Sequence, residues 1–319
     1  MKIVIPDDYQ DCVRTLACFA RLADHEVTVY NDTVRDVETL AERFRDAEAL
    51  VLIRERTPIT DELLERLPRL RLISQTGKGI AHVDLEACTR RGVAVAVGTG
   101  APFAAAELTW GLIIAAMRHI PAEVAAMKAG KWQTRLGTGL RGRTLGIFGY
   151  GKIGSLVAHY GRAFAMRVLV WGREGSLERA AMVGFDTAKS QEDLFARSDV
   201  LSLHLALNEG TRGIVTADHL AAMKPTALLV NTSRAELIAE GALVDALKAG
   251  RPGMAAVDVY ENEPVRDHPL LHLDNALCTP HLGFVERDGY ELYFGAAFDN
   301  LLAFADGSPR NLANPETVS

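Results

Sequence analysis

The sequence predicts an α/β protein built as two doubly wound parallel-sheet lobes. Three observations carry that expectation: the length, an alternation of short apolar runs with helix-period stretches, and a long helix-forming segment that divides the alternation in two. At 319 residues the chain exceeds the usual size of one hydrophobic core, which favours two domains. With 48% hydrophobic and 24% charged residues, it has the balance of a globular protein rather than a disordered one.

The elements follow in order. Apolar runs at Lys2–Ile5, Glu26–Tyr30, Ala49–Ile53 and Leu70–Ile73 alternate with the helix-period stretches Val37–Arg45 and Asp61–Leu67. A second series of strands is expected at Thr144–Phe148, Arg167–Trp171, Val200–His204, Ala227–Asn231, Met254–Val259 and Ala276–Thr279. Strands alternating with helices imply parallel sheets covered on both faces. Between the series, Ala104–Lys131 is rich in Ala, Leu, Ile, Met and Glu and predicts one or two connecting helices. A further helix is expected over Tyr290–Ala305.

The formal net charge of -6 provides no basic patch for a phosphate backbone, so nucleic acid is not an expected partner. Met1–Pro6 is too short an apolar run for a secretory signal, and Leu108–Met117 is too short to span a bilayer, so a cytoplasmic location without membrane contact is expected. Cys12, Cys18, Cys88 and Cys278 lack metal-site spacing and are read as reduced, mostly buried thiols, with no metal site.

The strand Leu145–Phe148 runs into Gly149-Tyr150-Gly151-Lys152-Ile153-Gly154 and then a helical segment. Strand, glycines and helix stand in the order of a dinucleotide fingerprint. Gly149 permits the tight turn, Gly151 the close approach of a pyrophosphate to the backbone, and Gly154 close packing of the helix. About 20 residues on, where an acid normally meets the ribose 2′-hydroxyl, the chain has Trp171-Gly172-Arg173. Gly172 leaves room for a 2′-phosphate and Arg173 can pair with it, which predicts a cofactor of NAD or NADP with a lean to NADP.

Three polar patterns close strands in the same half: Asn231-Thr232-Ser233-Arg234, Asp258 to Pro264, and Thr279-Pro280-His281-Leu282-Gly283. The carboxyl ends of strands border the ligand crevice of an open α/β sheet. Together they bring one Arg, one Glu and one His, the set that reduction of a 2-keto acid requires. Hydride arriving at the carbonyl carbon leaves charge on oxygen, so a proton donor titrating near neutrality is needed, as histidine does. A carboxylate beside it favours the imidazolium, and a guanidinium can pair with the substrate carboxylate and the developing oxyanion.

At these residues the chain resembles the D-isomer-specific 2-hydroxyacid dehydrogenases. The likeness extends over Thr76-Gly77-Lys78-Gly79, Val83-Asp84, Ala106 to Thr109, the glycine fingerprint, Leu201 to His204 and Met223-Lys224-Pro225. The resemblance implies that Arg234 binds substrate, Glu263 supports the histidine and His281 is the acid/base. It places Asp258 at the nicotinamide carboxamide, His204, Thr232 and Ser233 along the cofactor, and the backbone of Lys78-Gly79 at the substrate carboxylate. It also implies a Rossmann cofactor domain, residues 99–288, inserted into a flavodoxin-like substrate domain of residues 1–98 and 289–319, and a homodimer formed through the connecting helices.

Two positions depart from the family pattern. Ala235 replaces a customary glycine after Arg234, and Lys78 replaces a neutral residue. Lys78 with Arg54 and Arg56 would suit a second anionic group, so a phosphoglycerate-type dehydrogenase is one alternative. Formate and phosphite are other donors handled on this scaffold, and a nicotinamide-sensing binding protein is the non-enzymatic alternative. The chain ends without an extension long enough for a regulatory domain, which weighs against an allosterically controlled phosphoglycerate enzyme. Substrate side-chain preference depends on residues such as Phe103, Trp132 and Phe284, whose placement the sequence does not supply.

Overall fold

The computed structural model describes Met1–Val318, and the chain forms two compact units, Met1–Ala101 with the residues from Glu286 onward, and Pro102–Val285. The first unit holds β1 (Lys2–Ile5), β2 (Glu26–Val29), α1 (Val37–Phe44), β3 (Ala49–Leu52), α2 (Asp61–Glu65), β4 (Leu72–Gln75), α3 (Leu85–Arg90) and β5 (Ala94–Ala96). Its five strands are all parallel, in the order β2-β1-β3-β4-β5, the flavodoxin-like winding. Each helix starts where an acid or hydroxyl stands before the apolar period: Asp36, Thr60 and Asp84 accept the N–H of Thr39, Leu63 and Ala87.

One face of this sheet is closed by Leu40, Phe44, Ile59 and Leu63 packed on Leu50, Ile73 and Val95. The C-terminal helix, Arg287–Ala305, buries Phe294, Phe298 and Leu301 and packs on β4. The strand expected at Leu70–Ile73 lies two residues further on. Leu70 N–H bonds Leu67 in a turn, and pairing with β3 begins at Leu72. Ser74 and Gln75 look like loop residues by polarity yet are fully enclosed. Ser74 Oγ donates to the Ala297 carbonyl of the C-terminal helix at 2.8 Å. β5 lies within the apolar run Val93–Val97 and was not among the expected strands.

The second unit starts with α4 (Phe103–Met117) and α5 (Ile120–Lys128), two helices bent by 59° at His119, whose φ is 52°. No single helix among the described residues is long and apolar enough to cross a membrane. Then come β6 (Thr144–Phe148), α6 (Lys152–Ala163), β7 (Arg167–Trp171), α7 (Glu174–Met182), β8 (Asp186–Thr187), α8 (Gln191–Arg197), β9 (Val200–Leu203), α9 (Ala217–Ala222), β10 (Leu228–Asn231), α10 (Ala242–Lys248), β11 (Met254–Val257) and β12 (Ala276–Cys278). The sheet is parallel with order β12-β11-β10-β9-β6-β7-β8, the Rossmann winding with one strand added. Both faces are apolar, which is why β6, β9 and β10 read as continuous hydrophobic runs. Ile113, Val157 and Val168 belong to one layer, and Phe195, Leu220 and Leu243 to the other. The two-residue β8 was not foreseen. All four cysteines are free thiols; Cys18 and Cys88 are buried, while Cys12 and Cys278 are half-buried.

Candidate active site

In the second unit Phe148 pairs with Trp171 and Leu203, Leu203 with Asn231, Asn231 with Val257, and Val257 with Cys278. Each is the last residue of its strand. Gly149, Gly172, His204, Thr232, Asp258 and Thr279 therefore leave the parallel sheet side by side along one carboxyl edge. The winding reverses between β6 and β9, and a crevice opens at such a switch point.

The glycine turn is dictated by close approach. Gly149 has φ 98°, and a Cβ there would lie 2.6 Å from the His204 carbonyl oxygen; one on Gly154 would lie 2.1 Å from the carbonyl oxygen of Gly149. Gly151 instead faces open space and is the N-cap of α6, with no side chain capping that helix. The uncapped N–H groups and helix dipole suit an anion. Tyr150 is buried with its ring edge against Phe185, so only its backbone belongs to the turn; Lys152 is exposed and Ile153 half-buried. Beside the turn, His204 is enclosed with neither ring nitrogen hydrogen-bonded. Burial pushes its imidazole down to about 3, so it is neutral and keeps a donor and an acceptor unsatisfied. A cradle that excludes Cβ atoms beside an orphaned polar side chain fits a dinucleotide.

His281 Nδ1 lies 2.5 Å from Glu263 Oε2. Burial alone would raise the Glu263 carboxyl, but the hydrogen bond and charge of His281, the Tyr260 N–H and the charge of Arg234 hold it below the usual carboxylate range. Tyr260 N–H donates to Glu263 Oε1 at 3.0 Å. Glu263 is thus a fixed, ionised acceptor, which directs Nδ1–H inward and leaves Nε2 for another partner. Phe284 meets the imidazole edge-on, with centroids 5.5 Å apart.

His281 has φ 52°, an unfavourable conformation for a side-chain-bearing residue. The buried Asp258 carboxylate holds the segment there: Oδ1 accepts from Thr279 Oγ1 at 2.6 Å and Leu282 N–H at 2.7 Å, and Oδ2 accepts from Gly283 N–H at 2.8 Å. Burial raises the Asp258 carboxyl against these three hydrogen bonds.

Arg234 leaves β10 in extended conformation, with Nη1 donating to the Ser233 carbonyl at 2.8 Å. Asn231 braces the turn, receiving Ser233 N–H at 3.0 Å and donating to the Arg234 carbonyl at 2.8 Å. Ser233 Oγ donates to the Leu203 carbonyl at 2.7 Å, and Thr232 Oγ1 lies 2.7 Å from Thr109 Oγ1 of α4. Ala235 is not among the residues with positive φ, so glycine is not required after Arg234. Arg173 is the exposed N-cap of α7.

In the first unit, Lys78 and Gly79 are exposed after β4. Gln75 positions this loop, its Nε2 donating to the carbonyls of Arg54 at 2.8 Å and Gly79 at 2.6 Å. A Cβ on Gly77 would lie 2.6 Å from Arg54 Nη1, and one on Gly79 would lie 2.1 Å from Glu55 Oε1. Arg54 thus lies against the loop with a carboxylate nearby. Arg56 is drawn elsewhere, donating to the Asp7 carbonyl at 2.6 Å and stacking on Tyr9.

The sequence reading missed the supporting residues Asn231, Thr109, Tyr260, Thr279 and Gln75. Asn231, Tyr260 and Thr279 lie within the quoted patterns, but nothing local marks their side chains or backbones as braces. Of the residues left unplaced, Phe284 is at the histidine, while Phe103 and Trp132 are exposed.

Residues 110–283 match the family described as D-isomer specific 2-hydroxyacid dehydrogenase, NAD binding domain. The chain is similar to a glyoxylate reductase of Aeropyrum pernix, 40% identical over 294 residues, covering 88% of this chain and 87% of that protein. It is also similar to a D-3-phosphoglycerate dehydrogenase of Methanocaldococcus jannaschii, 39% identical over 287 residues, with 89% of this chain matched to 53% of that longer protein. A solved oxidoreductase of Ralstonia solanacearum is 56% identical, with a TM-score of 0.98 over 100% of this chain and 98% of the other. With the fold, the glycine turn and these relatives in agreement, the chain belongs to the D-isomer specific 2-hydroxyacid dehydrogenase family.

Proposed function

We propose that this enzyme reduces small 2-keto acids such as glyoxylate and hydroxypyruvate to D-2-hydroxy acids, with NADPH as its preferred reductant. The observation that carries the reading is the 2.5 Å His281–Glu263 pair at the same carboxyl edge as Arg234 and the glycine turn. The 149–154 turn, Gly172, Arg173, His204, Thr232, Ser233 and Asp258 would hold a nicotinamide dinucleotide, which would supply the hydride.

His281 Nε2 delivers a proton to the carbonyl oxygen as that oxygen becomes an alkoxide, while Nδ1–H stays on Glu263. The fixed carboxylate stabilises the imidazolium before transfer and selects the neutral tautomer that remains afterwards. Arg234 pairs with the substrate carboxylate and draws charge from the keto oxygen. By the family resemblance, the Lys78–Gly79 backbone is the carboxylate-binding element of the first unit. In the reverse direction His281 takes the hydroxyl proton.

The lean to NADP rests on Gly172 and the exposed, cationic Arg173 in place of the acid that would repel a 2′-phosphate. We further propose a cytoplasmic homodimer joined through the connecting helices. Supporting it, α5 buries none of its residues, and Met127, Trp132 and Leu136 are 65%, 74% and 95% exposed, a concentration of apolar surface unusual for a monomer.

A phosphorylated substrate is the second reading, favoured by the Arg54 side chain against Gly77 and the exposed Lys78. The deciding experiment is an NAD(P)H oxidation screen with both cofactors against glyoxylate, pyruvate, hydroxypyruvate, longer 2-keto acids and phosphohydroxypyruvate. Highest kcat/KM on an unphosphorylated acid with NADPH supports the proposal. Preference for phosphohydroxypyruvate that falls on Lys78→Ala establishes the second reading, and tight cofactor binding without turnover establishes a sensing protein.

A further inference from the structure

Besides Arg173, the segment beside the glycine turn carries two more groups suited to a phosphate, Ser176 and Arg179. A Cβ built at Gly172 would lie 3.6 Å from Ser176 Cβ and 3.7 Å from Gly149 Cα. These are ordinary contact distances, so packing does not demand glycine. The space where an acidic side chain would start is bordered by the turn on one side and Ser176 on the other. One turn along α7, Arg179 Nη2 donates to Ser176 Oγ and to the Tyr150 carbonyl oxygen of the glycine turn, both at 3.1 Å. Ser176 and Arg179 lie three residues apart on one row of α7, whereas the exposed Glu174 and Glu178 fall on another.

Arginine presents five N–H donors in a planar fork, and those of Nε and Nη1 of Arg179 make no hydrogen bond among the described residues. Its guanidinium is already oriented by Ser176 and Tyr150, so less side-chain entropy is lost when an anion arrives. Glycine at 172, a hydroxyl at 176 and guanidinium groups at 173 and 179 together have the chemistry of a phosphate clamp.

We propose that Ser176 and Arg179 complete, with Arg173, a clamp for the phosphate on the ribose 2′-oxygen of NADP(H). Arg179 also ties that clamp to the glycine turn through Tyr150 and is a specificity-determining residue for the cofactor. The inference rests on the NADP reading above. If Arg179 only braced the turn, its loss would weaken NAD and NADP alike.

The test is calorimetric binding of NADP+, NAD+, 2′,5′-ADP and 5′-AMP to the full-length protein and to Arg173→Ala, Ser176→Ala, Arg179→Ala and Arg179→Lys, with folding checked by circular dichroism. Arg179→Ala should weaken NADP+ and 2′,5′-ADP about tenfold or more, the scale of one charge-assisted hydrogen bond. NAD+ and 5′-AMP should change less than about threefold. Ser176→Ala should act in the same direction more weakly, and Arg179→Lys should recover part of the loss. Equal weakening of both cofactors by Arg179→Ala, or no weakening of either, overturns the clamp, and the NADP reading survives this if Arg173→Ala alone removes discrimination. Equal wild-type affinity for 2′,5′-ADP and 5′-AMP overturns the NADP reading itself and the clamp with it.

Discussion

Asp258 and His281 are joined through the backbone rather than through the imidazole. The Asp258 carboxylate accepts the N–H groups of Leu282 and Gly283, and so holds His281 at a φ of 52°. The acid thereby fixes where the ring stands, while Glu263 fixes how it is turned. Asp258→Ala leaves two backbone donors and the Thr279 hydroxyl without their acceptor. The expected cost is about 3 kcal/mol by urea unfolding, since buried unpaired groups each lose about 1–3 kcal/mol. A change below about 0.5 kcal/mol would show that the loop is held by other contacts.

Glu263 is ionised because His281, Tyr260 N–H and Arg234 outweigh its burial. Its lowered folded pKa means that the contribution of its charge is complete above the ordinary carboxylate range and is lost only as pH falls through the depressed value. Glu263→Gln removes the fixed carboxylate that orients the imidazole, so kcat for keto-acid reduction should fall by roughly tenfold or more, with cofactor affinity little changed. An unchanged kcat would separate Glu263 from the proton donor.

Gly154→Ala places a methyl carbon 2.1 Å from the Gly149 carbonyl, closer than backbone atoms tolerate. The turn must open, and dinucleotide affinity measured by quenching of tryptophan fluorescence should drop by more than tenfold. Gly151→Ala meets no protein atom within 4 Å, so it should leave the unfolding midpoint nearly unchanged while still weakening the cofactor, whose pyrophosphate takes that space. If both variants bind like the wild type, the turn is structural only.

The exposed apolar surface of α5 and the segment after it predicts self-association. Leu136→Asp, at a side chain 95% exposed, should convert a dimer to a monomer in sedimentation velocity with little change in secondary structure. A wild-type protein that sediments as a monomer would remove the proposed interface.

Much of this was legible in the sequence because parallel strands buried on both faces announce themselves as apolar runs, as Leu145–Phe148 and Leu228–Val230 do. The strand-end positions of Arg234, Asp258 and the segment leading to His281 followed from the same runs. What stayed hidden depends on tertiary contact. Ser74 and Gln75 look like loop residues until their side chains find the carbonyls of Ala297, Arg54 and Gly79. Asp186–Thr187 is too short for any period to register. The charges grouped as Lys78, Arg54 and Arg56 divide in the structure because Arg56 is claimed by Asp7 and Tyr9, which sequence spacing cannot show.

In the proposed mechanism His281 holds the proton that completes hydride transfer to a keto acid. Its most direct test is His281→Gln, assayed for NADPH-dependent glyoxylate reduction alongside calorimetric binding of NADP+. The variant should lose about a hundredfold to ten-thousandfold in kcat, the scale of general acid catalysis, with cofactor affinity within about threefold of the wild type. A variant that retains kcat within a few-fold would contradict that mechanism.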